Sequence, residues 1–234
     1  MSNPLPDTAA LNAQFAQRSA RVILSHALSG ALGRVGLVSS FGADAIVLLH
    51  MVSVVNRDAP VLFVDTGRLF SQTLDYQLEV TQQLGLTDVR VLRPDGDVLK
   101  ARDAYGALFT HDPDACCAIR KTAPMDAGLV DFDGWVTGRK RFQSQTRVTL
   151  EPFERDDARI KINPLAHWTR KILRSYIAAH RLPAHPLVAK GFPSIGCAPC
   201  TTKVAPGEDP RAGRWRGQAK TECGLHVKKT AALS

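Results

Sequence analysis

The sequence predicts an α/β fold with a parallel sheet covered by helices on both faces, and two apolar runs are the main reason. Residues 35–38 and 61–64 contain no charged side chain, and each run is followed by a polar turn and a segment with helical spacing. Strands that are apolar throughout are typical of a sheet buried on both faces. Strands that alternate with helices in this way connect in parallel.

The remaining elements follow in order along the chain. Residues 8–28 carry apolar side chains at helical spacing and predict one amphipathic helix before the first strand. Helices are expected over residues 43–55 and from about residue 70 to residue 84, after the first and second strands. Residues 89–92 and 134–138 are the third and fourth predicted strands.

Composition and charge narrow the class of protein. Of the 234 residues, 44% are hydrophobic and 22% are charged, which excludes a disordered chain, a collagen-like chain and a coiled coil. Lysine and arginine number 30 against 22 aspartate and glutamate residues, giving a net charge of +8. This excess favours an anionic partner, such as a nucleic acid, a membrane surface or a phosphorylated small molecule.

Two features predict a cytoplasmic protein. No apolar stretch approaches the roughly 20 residues of a membrane-spanning helix, and the first residues lack the basic and apolar regions of a signal peptide. Because cytosolic thiols stay reduced, the five cysteines are expected to bind metal or act in catalysis rather than form disulfides. We therefore expect no membrane partner.

Polar loops follow the first two predicted strands and are candidate ligand sites. Residues 39–44 supply small side chains and two hydroxyls, and residues 65–68 follow the second strand. Small residues there let backbone N–H groups approach a phosphate at a helix N-terminus. The alternative for each loop is an ordinary turn or helix cap. Two such loops at the carboxyl edge of one sheet favour a nucleotide crevice, although no Walker P-loop or dinucleotide-binding pattern is present.

Four of the five cysteines fall into two pairs: Cys116 with Cys117, and the C-x-x-C motif of Cys197 and Cys200. Two pairs in a cytosolic chain favour a four-thiolate metal site, for which zinc and an iron–sulfur cluster are both candidates. Adjacent cysteines fit a zinc ribbon poorly and suit a bulkier cluster, since each can bind a separate iron.

The residues around the first cysteine pair predict a local helix. Asp114 is expected to cap a helix that begins at Ala115, with both cysteines in its first turn. Lys121 then lies on the same helix face as Cys117, four residues further on. The alternative for Lys121 is a solvated surface lysine.

The fifth cysteine, Cys223, lies in a basic region near the end of the chain. Residues 203–229 contain seven lysines and arginines against three acids. A positive field lowers the pKa of a thiol and favours the nucleophilic thiolate. His226 can tune this thiol, with a solvated histidine as the alternative. Arg211 and Arg214 stand three residues apart, and paired guanidinium groups suit an oxyanion such as phosphate or sulfate.

Together these motifs resemble the assimilatory adenylyl-sulfate reductases, the cluster-bearing branch of a family that also includes the 3′-phosphoadenylyl-sulfate reductases. The resemblance extends from about Ser39 to His226. The double cysteine with the later C-x-x-C motif and the terminal Glu-Cys-Gly-Leu-His are its most specific features. Further matching segments are residues 39–43, 65–70, 118–121, 135–138, 143–144, 146–147, 163–165, 194–196 and 211–215.

The resemblance implies one adenine-nucleotide-α-hydrolase-like domain, with residues 39–44 as a modified PP-loop. Residues 1–182 form its α/β nucleotide-binding part. Residues 183–234 are a C-terminal segment of the same domain, carrying the second cysteine pair, the arginine pair and a mobile tail with the catalytic cysteine. Its expected flexible joints are Gly207, Gly213, Gly217 and Gly224.

The resemblance also implies a role for each site residue. The nucleotide contacts are expected to be Ser39, Gly42, Val64 through its backbone, Gly138 and Arg147. The phosphosulfate contacts are expected to be Lys121, Arg211 and Arg214, and His226 is a further substrate-binding residue. The ligands of a 4Fe–4S cluster are expected to be Cys116, Cys117, Cys197 and Cys200, which leaves Cys223 as the catalytic thiol.

The implied reaction begins when the Cys223 thiolate attacks the sulfate sulfur of adenylyl sulfate. AMP leaves and a cysteine S-sulfonate forms, from which a thioredoxin or glutaredoxin-like dithiol protein releases sulfite. Such a reaction serves assimilatory sulfate reduction and cysteine biosynthesis. The sequence is compatible with a homo-oligomer.

Three alternatives remain at this point. The substrate can be 3′-phosphoadenylyl sulfate, or the chain can be a PP-loop enzyme that thiolates tRNA or splits ATP to pyrophosphate. A metal-binding nucleic-acid module is the third. Few aromatic residues and no apparent recognition helix disfavour a nucleic-acid partner.

Overall fold

The computed structural model describes residues 6–218 together with Lys220, Glu222 and Gly224. The strands in this part of the chain are β1 (Val35–Ser39), β2 (Val61–Val64), β3 (Val89–Leu92), β4 (Gly134–Val136), β5 (Phe153–Asp156) and β6 (Arg159–Ile162). The α-helices in the same part are α1 (Thr8–Phe15), α2 (Ala20–Ala27), α3 (Ala45–Val55), α4 (Ser71–Leu84), α5 (Gly96–Arg102), α6 (Leu108–His111), α7 (Pro113–Cys117), α8 (Ala123–Gly128) and α9 (Arg170–Ala179).

The six strands form one sheet in the order β3-β2-β1-β4-β6-β5. Every neighbouring pair is parallel except β5 with β6. The chain builds outward from β1 to β3 and then returns to the other side of β1 with β4, so the direction of winding reverses between β1 and β4. Ligands of open α/β sheets bind outside the carboxyl ends of the strands at such a point.

Both faces of the sheet are covered, because strand residues alternate between two hydrophobic cores. In β2, Val61 and Phe63 belong to the larger core with α1 to α4, whereas Leu62 faces a smaller core. In β4, Val136 joins the larger core and Trp135 the smaller one, where Met125 of α8 also packs. The predicted α/β fold with helices on both faces is therefore confirmed.

The predicted helix over residues 8–28 is wrong in one respect, since the chain forms two helices there. Helix α1 ends at Phe15, and α2 begins after Ser19. The Ser19 hydroxyl accepts a hydrogen bond from the Val22 N–H at 3.4 Å, which is the contact of an N-cap residue. The serine therefore starts a new helix that the apolar spacing alone did not reveal.

Strands β5 and β6 were absent from the prediction because charged side chains interrupt their apolar pattern. Lys161 of β6 is only 6% exposed, and its ammonium lies 4.4 Å from the centre of the Trp135 ring and 3.6 Å from Asp156. Contacts with an aromatic face and a carboxylate allow this lysine to be buried. The sequence alone does not distinguish such a lysine from one on the surface.

The described part of the C-terminal segment packs across the carboxyl edge of the sheet. Leu69 and Cys197 form a β-bridge, and the Ala198 N–H donates to the Arg68 carbonyl at 2.8 Å. Gly213, one of the expected flexible joints, lies against this segment's own backbone. A Cβ at that position would lie 2.2 Å from the Thr202 carbonyl oxygen, so Gly213 permits a close backbone approach. None of the described helices combines the length and apolar character that a membrane crossing requires.

Candidate active site

A cleft of about 550 Å³ opens at the carboxyl edge of the sheet, where β1, β2 and β4 end. This volume is in the usual range for small-molecule sites. Eight of the nine predicted substrate contacts line it, together with Cys197 and Glu222. The eight are Ser39, Gly42, Val64, Lys121, Gly138, Arg147, Arg211 and Arg214. The ninth, His226, and the predicted nucleophile Cys223 lie outside the described residues.

The loop after β1 is shaped by its own serines. The Ser39 hydroxyl accepts from the Phe41 N–H at 3.2 Å, and the Ser40 hydroxyl accepts from the Gly42 N–H at 3.4 Å. Phe41 has a φ of 47° and a fully buried ring 5.2 Å from that of Phe63. A hydroxyl that accepts one hydrogen bond can still donate its own proton. The two serines therefore stabilise the turn and can also donate hydrogen bonds to a ligand in the cleft.

Gly42 lies where the loop meets the C-terminal segment. A Cβ there would lie 3.3 Å from the Ser40 hydroxyl oxygen and 3.4 Å from the Ile195 carbonyl oxygen. The first contact is tight and would require the Ser40 hydroxyl to shift by a few tenths of an ångström, whereas the second is at the limit of ordinary van der Waals contact. Gly42 therefore lets the loop pack closely against the C-terminal segment.

A buried lysine beneath the loop was missed by sequence reasoning. Lys140 is 1% exposed, and its ammonium lies 3.0 Å from the Gly138 carbonyl oxygen and 3.3 Å from an Asp44 carboxylate oxygen. Burial lowers the pKa of Lys140, while the Asp44 carboxylate opposes that shift. Gln143 accepts from the Lys140 N–H at 3.1 Å and from Arg147 at 2.5 Å. These contacts join the loops after β1 and β4 into one polar wall.

The loop after β2 is a turn, and it also supports the thiols. The Asp65 carboxylate accepts a hydrogen bond from the Gly67 N–H at 3.0 Å. Gly67 has a φ of 67°, a left-handed conformation that favours glycine. The Thr66 hydroxyl lies 3.2 Å from the Cys197 sulfur, and the Thr66 carbonyl accepts from Arg120 at 2.9 Å. The loop is thus a turn, and Thr66 both lines the cleft and contacts the second cysteine pair.

The four paired cysteines are thiols that influence the pKa values of one another. Cys116, Cys117 and Cys197 are buried, and Cys200 is partly buried. Burial raises the pKa of Cys116 to about 11; the neighbouring thiols Cys117 and Cys197 add to this shift and Arg120 opposes it. Burial and the Cys197 thiol raise the pKa of Cys200 as well, while Lys121 opposes that rise. The two pairs therefore form one group of thiols beside the cleft.

This group fits an iron–sulfur cluster in its donor chemistry. Among the described residues, no three or more His, Cys, Asp or Glu side chains are arranged to hold a metal ion. Four cysteine thiolates are the donor set that a 4Fe–4S cluster takes.

Two buried donors add to this fit. Arg68 Nε and Trp215 Nε1 have no hydrogen-bond partner among the described residues. Their backbones flank the C-x-x-C motif, since the Arg68 carbonyl accepts from Ala198 at 2.8 Å and the Trp215 N–H donates to the Cys200 carbonyl at 3.1 Å. Buried N–H groups of this kind need an acceptor, and cluster sulfurs can provide one.

The helix that carries the first cysteine pair differs from the expectation. Its cap is Asp112 rather than Asp114, because the Asp112 carboxylate accepts from the Ala115 N–H at 2.8 Å. The aspartate two residues earlier can cap because Pro113 begins the helix and needs no N–H partner. Asp114 instead pairs with Lys220.

A π-helical segment (Ala118–Thr122) follows the cysteines and was not predicted. It carries Arg120 and Lys121, whose spacing from Cys117 therefore differs from that in an α-helix. Arg120 points into the protein and pairs with buried Asp103 at 2.6 Å, while Lys121 lines the cleft. These two adjacent cations therefore have different roles, one in a buried ion pair and one in the wall of the cleft.

Several known proteins resemble the chain. Residues 34–203 match the family described as phosphoadenosine phosphosulfate reductase domain. A Mesorhizobium japonicum protein named adenosine 5′-phosphosulfate reductase is 48% identical over 92% of this chain and 82% of its own length. A Gloeobacter violaceus protein named phosphoadenosine 5′-phosphosulfate reductase is 40% identical over 92% of this chain and 91% of its own length. The crystal structure of a Candida auris phosphoadenylyl-sulfate reductase in a phosphate complex superposes with a TM-score of 0.73 at 24% identity, covering 87% of this chain and 99% of that one.

Proposed function

The chain belongs to the phosphoadenosine phosphosulfate reductase domain family, and we propose that it reduces adenylyl sulfate to sulfite and AMP. The cleft at the carboxyl edge of the sheet is the observation that supports this proposal most. Its cations Lys121, Arg211 and Arg214 line the same cavity as the loop at residues 39–44. A nucleotide joined to a sulfate needs both features, a polar loop for one end and fixed positive charge for the other.

The proposed roles of the cleft residues follow from their chemistry. Ser39, Gly42, Val64 and Gly138 contact the nucleotide along the ends of β1, β2 and β4, and Arg147 contributes from the same wall. Lys121, Arg211 and Arg214 hold the phosphosulfate, whose several oxygens match guanidinium and ammonium donors. These cations also stabilise the charge that gathers on the oxygens as an anionic nucleophile approaches.

The first chemical step is a transfer of the sulfonate group to the enzyme. The Cys223 thiolate donates an electron pair to the sulfate sulfur, and the bond from that sulfur to the bridging phosphate oxygen breaks. AMP leaves with the electron pair of the broken bond, and Cys223 becomes a cysteine S-sulfonate.

The second step needs two electrons from a dithiol protein of the thioredoxin or glutaredoxin type. One thiolate of that partner attacks the Cys223 sulfur, and sulfite leaves with the electrons of the S–S bond. The second thiol of the partner then resolves the mixed disulfide, which returns Cys223 as a thiol and leaves the partner oxidised. The reaction places the enzyme in sulfate assimilation, in the cytoplasm where such dithiol proteins are kept reduced.

Cys116, Cys117, Cys197 and Cys200 would hold a 4Fe–4S cluster in this proposal. When bound, the cluster supplies fixed charge beside the cleft. Lys121 is the residue that connects the two regions, since it lines the cleft and opposes the rise in the pKa of Cys200.

We expect anaerobically purified protein to contain about four irons and four sulfides per chain, the content of this cluster type. Cys200→Ser should lose most of this iron, because one of the four thiolates is missing. Iron and acid-labile sulfide analysis of both proteins measures the effect, with Cys223→Ser as the control that retains the metal. About one zinc per chain without sulfide would contradict the assignment.

The substrate without a 3′-phosphate is expected to be preferred. Relatives named adenosine 5′-phosphosulfate reductase and phosphoadenosine 5′-phosphosulfate reductase both match the chain at 40% identity or more. The second candidate substrate is therefore 3′-phosphoadenylyl sulfate. We expect kcat/KM for adenylyl sulfate to exceed that for the 3′-phosphorylated form by at least about tenfold, or about 1.4 kcal/mol in transition-state binding. A tenfold preference for the 3′-phosphorylated form would reverse the assignment, and absence of sulfite from both would refute the reductase.

A further inference from the structure

Glu222, the residue before the proposed nucleophile, binds two arginines of the cleft. Its carboxylate accepts two hydrogen bonds from Arg147, at 2.8 and 2.7 Å, and lies 3.6 Å from Arg211. The Thr146 hydroxyl donates to the same carboxylate at 3.2 Å. We propose that Glu222 is a positioning residue that docks the catalytic tail on Arg147 and Arg211 and so brings Cys223 to the cleft. This inference rests on the proposed function, in which Cys223 is the nucleophile.

The pairing has the geometry of a specific contact rather than of a chance surface ion pair. The side chains of Arg147 and Glu222 are 8% and 11% exposed, and both guanidinium contacts are made in parallel. Such two-point pairs combine strength with a fixed orientation. Glu208 and Arg216, on the same C-terminal segment, also pair at 2.9 Å, but their side chains are 36% and 44% exposed. Exposed pairs of that kind contribute little.

The charge of Glu222 is maintained by the pocket that receives it. Burial alone would raise the pKa of Glu222, but the hydrogen bonds and charge of Arg147, with the charge of Arg211, lower it below the ordinary value. The carboxylate is therefore ionised at neutral pH, and both arginines attract it. The full strength of docking is expected at pH values above the usual pKa of a glutamate. It is lost as the pH falls through the lowered pKa of docked Glu222.

Two other described residues of the tail also contact the body of the protein. Lys220 pairs with Asp114 beside the first cysteine pair. Gly224 lies close to Thr122, the last residue of the π-helical segment, since a Cβ on Gly224 would be 3.2 Å from the Thr122 hydroxyl oxygen. The residues on both sides of Cys223 therefore contact elements that carry the thiols or line the cleft. Among these contacts, Glu222 makes the most buried one.

The test measures the access of a neutral alkylating reagent to Cys223 in the substrate-free protein, purified anaerobically with its metal. In Glu222→Gln the carboxylate charge is lost, so the tail should leave the arginines and iodoacetamide should modify Cys223 at least about fivefold faster. Rates are compared at their high-pH plateau, where the thiol is fully ionised in each variant, so that a change in its pKa does not contribute. Peptide mapping identifies the modified cysteine.

Ionic strength gives a second readout that a merely structural role would not move. Salt hardly screens the buried pair while the tail is docked, but it stabilises the separated charges of the undocked tail. The plateau rate of the wild-type protein should therefore rise with salt, whereas that of Glu222→Gln should not. Glu222→Asp keeps the charge on a shorter side chain, so its plateau rate and its salt response should lie between those of the wild-type protein and Glu222→Gln. Glu208→Gln is the matched control, because it removes an acid from an exposed pair on the same segment, and it should behave as wild type.

A catalytic measurement completes the test. Glu222→Gln should form the S-sulfonate about tenfold more slowly in a single turnover, with AMP bound no more weakly than by wild type. Equal plateau rates and equal salt responses in wild type and Glu222→Gln would overturn the docking role. If the wild-type protein forms no sulfite, the proposed function fails, while the alkylation rates still decide whether Glu222 docks the tail.

Discussion

Replacing Cys223 with serine should abolish sulfite formation, a fall of at least about 1,000-fold in turnover. Serine keeps the size of the side chain, but its hydroxyl is not ionised at neutral pH and cannot replace a thiolate nucleophile. Cys223 is the thiol that remains after the two cysteine pairs are assigned to metal. Sulfite release from labelled adenylyl sulfate, with a dithiol protein present in excess, measures the effect.

The iron content of Cys223→Ser separates loss of chemistry from loss of structure. This variant should retain the iron and the visible absorbance of the wild-type protein, and it should still bind AMP. Near-normal turnover in Cys223→Ser would show that another group attacks the sulfur. Loss of iron together with activity would show that Cys223 belongs to the metal site instead.

Replacing Arg120 with methionine should destabilise the protein by about 3–5 kcal/mol, the cost of leaving a buried charge without its partner. Arg120 donates to Asp103 at 2.6 and 3.0 Å, and the two side chains are 7% and 2% exposed. Arg120 also donates to the carbonyl of Thr66, the residue whose hydroxyl contacts Cys197. The variant should therefore lose thermal stability, by roughly 10 °C in Tm for a chain of this length, and should lose metal more readily.

The double variant Asp103→Asn with Arg120→Met is the control for this prediction. Asparagine is neutral and retains an oxygen that can accept from the Leu108 N–H, which donates to Asp103 at 2.9 Å. Because no buried charge then remains, the double variant should be more stable than Arg120→Met alone. A Tm for Arg120→Met within about 2 °C of wild type, less than 1 kcal/mol for a chain of this size, would contradict the buried-charge argument.

The sequence was sufficient for those parts of the fold that depend on local pattern. Strands β2 and β3 have the predicted limits, and β1 and β4 differ from the prediction by one or two residues. Short runs of this kind that are bounded by polar turns are typical of strands. The two helices at residues 8–28 were joined in the prediction because periodicity was considered without the Ser19 cap.

Long-range polar pairing is what the sequence could not supply. Lys140 and Asp44 are 96 residues apart in the chain, and Arg147 and Glu222 are 75 apart. Nothing in the local pattern of either partner indicates the other, and a lysine such as Lys140 reads as a surface residue. The π-helical winding at residues 118–122 was also missed, because the apolar and polar pattern of these residues does not distinguish it from an α-helix.

The cleft residues are an intermediate case. Motif resemblance selected them one at a time, and eight of the nine lie around one cavity. That arrangement depends on the reversal of strand order between β1 and β4, which brings the ends of three strands together. The residues were therefore predictable from motifs, whereas their common location follows from the topology.

Trapping the enzyme-bound intermediate tests the central claim most directly. The anaerobic protein is mixed with an equal amount of adenylyl sulfate in the absence of any dithiol, and the products are analysed by mass spectrometry of the protein and by AMP assay. We predict one AMP released per chain, together with one SO₃ group on Cys223 that a dithiol protein then converts to free sulfite. AMP release without a protein-bound sulfonate, or a sulfonate on one of the four paired cysteines, would contradict the proposed mechanism.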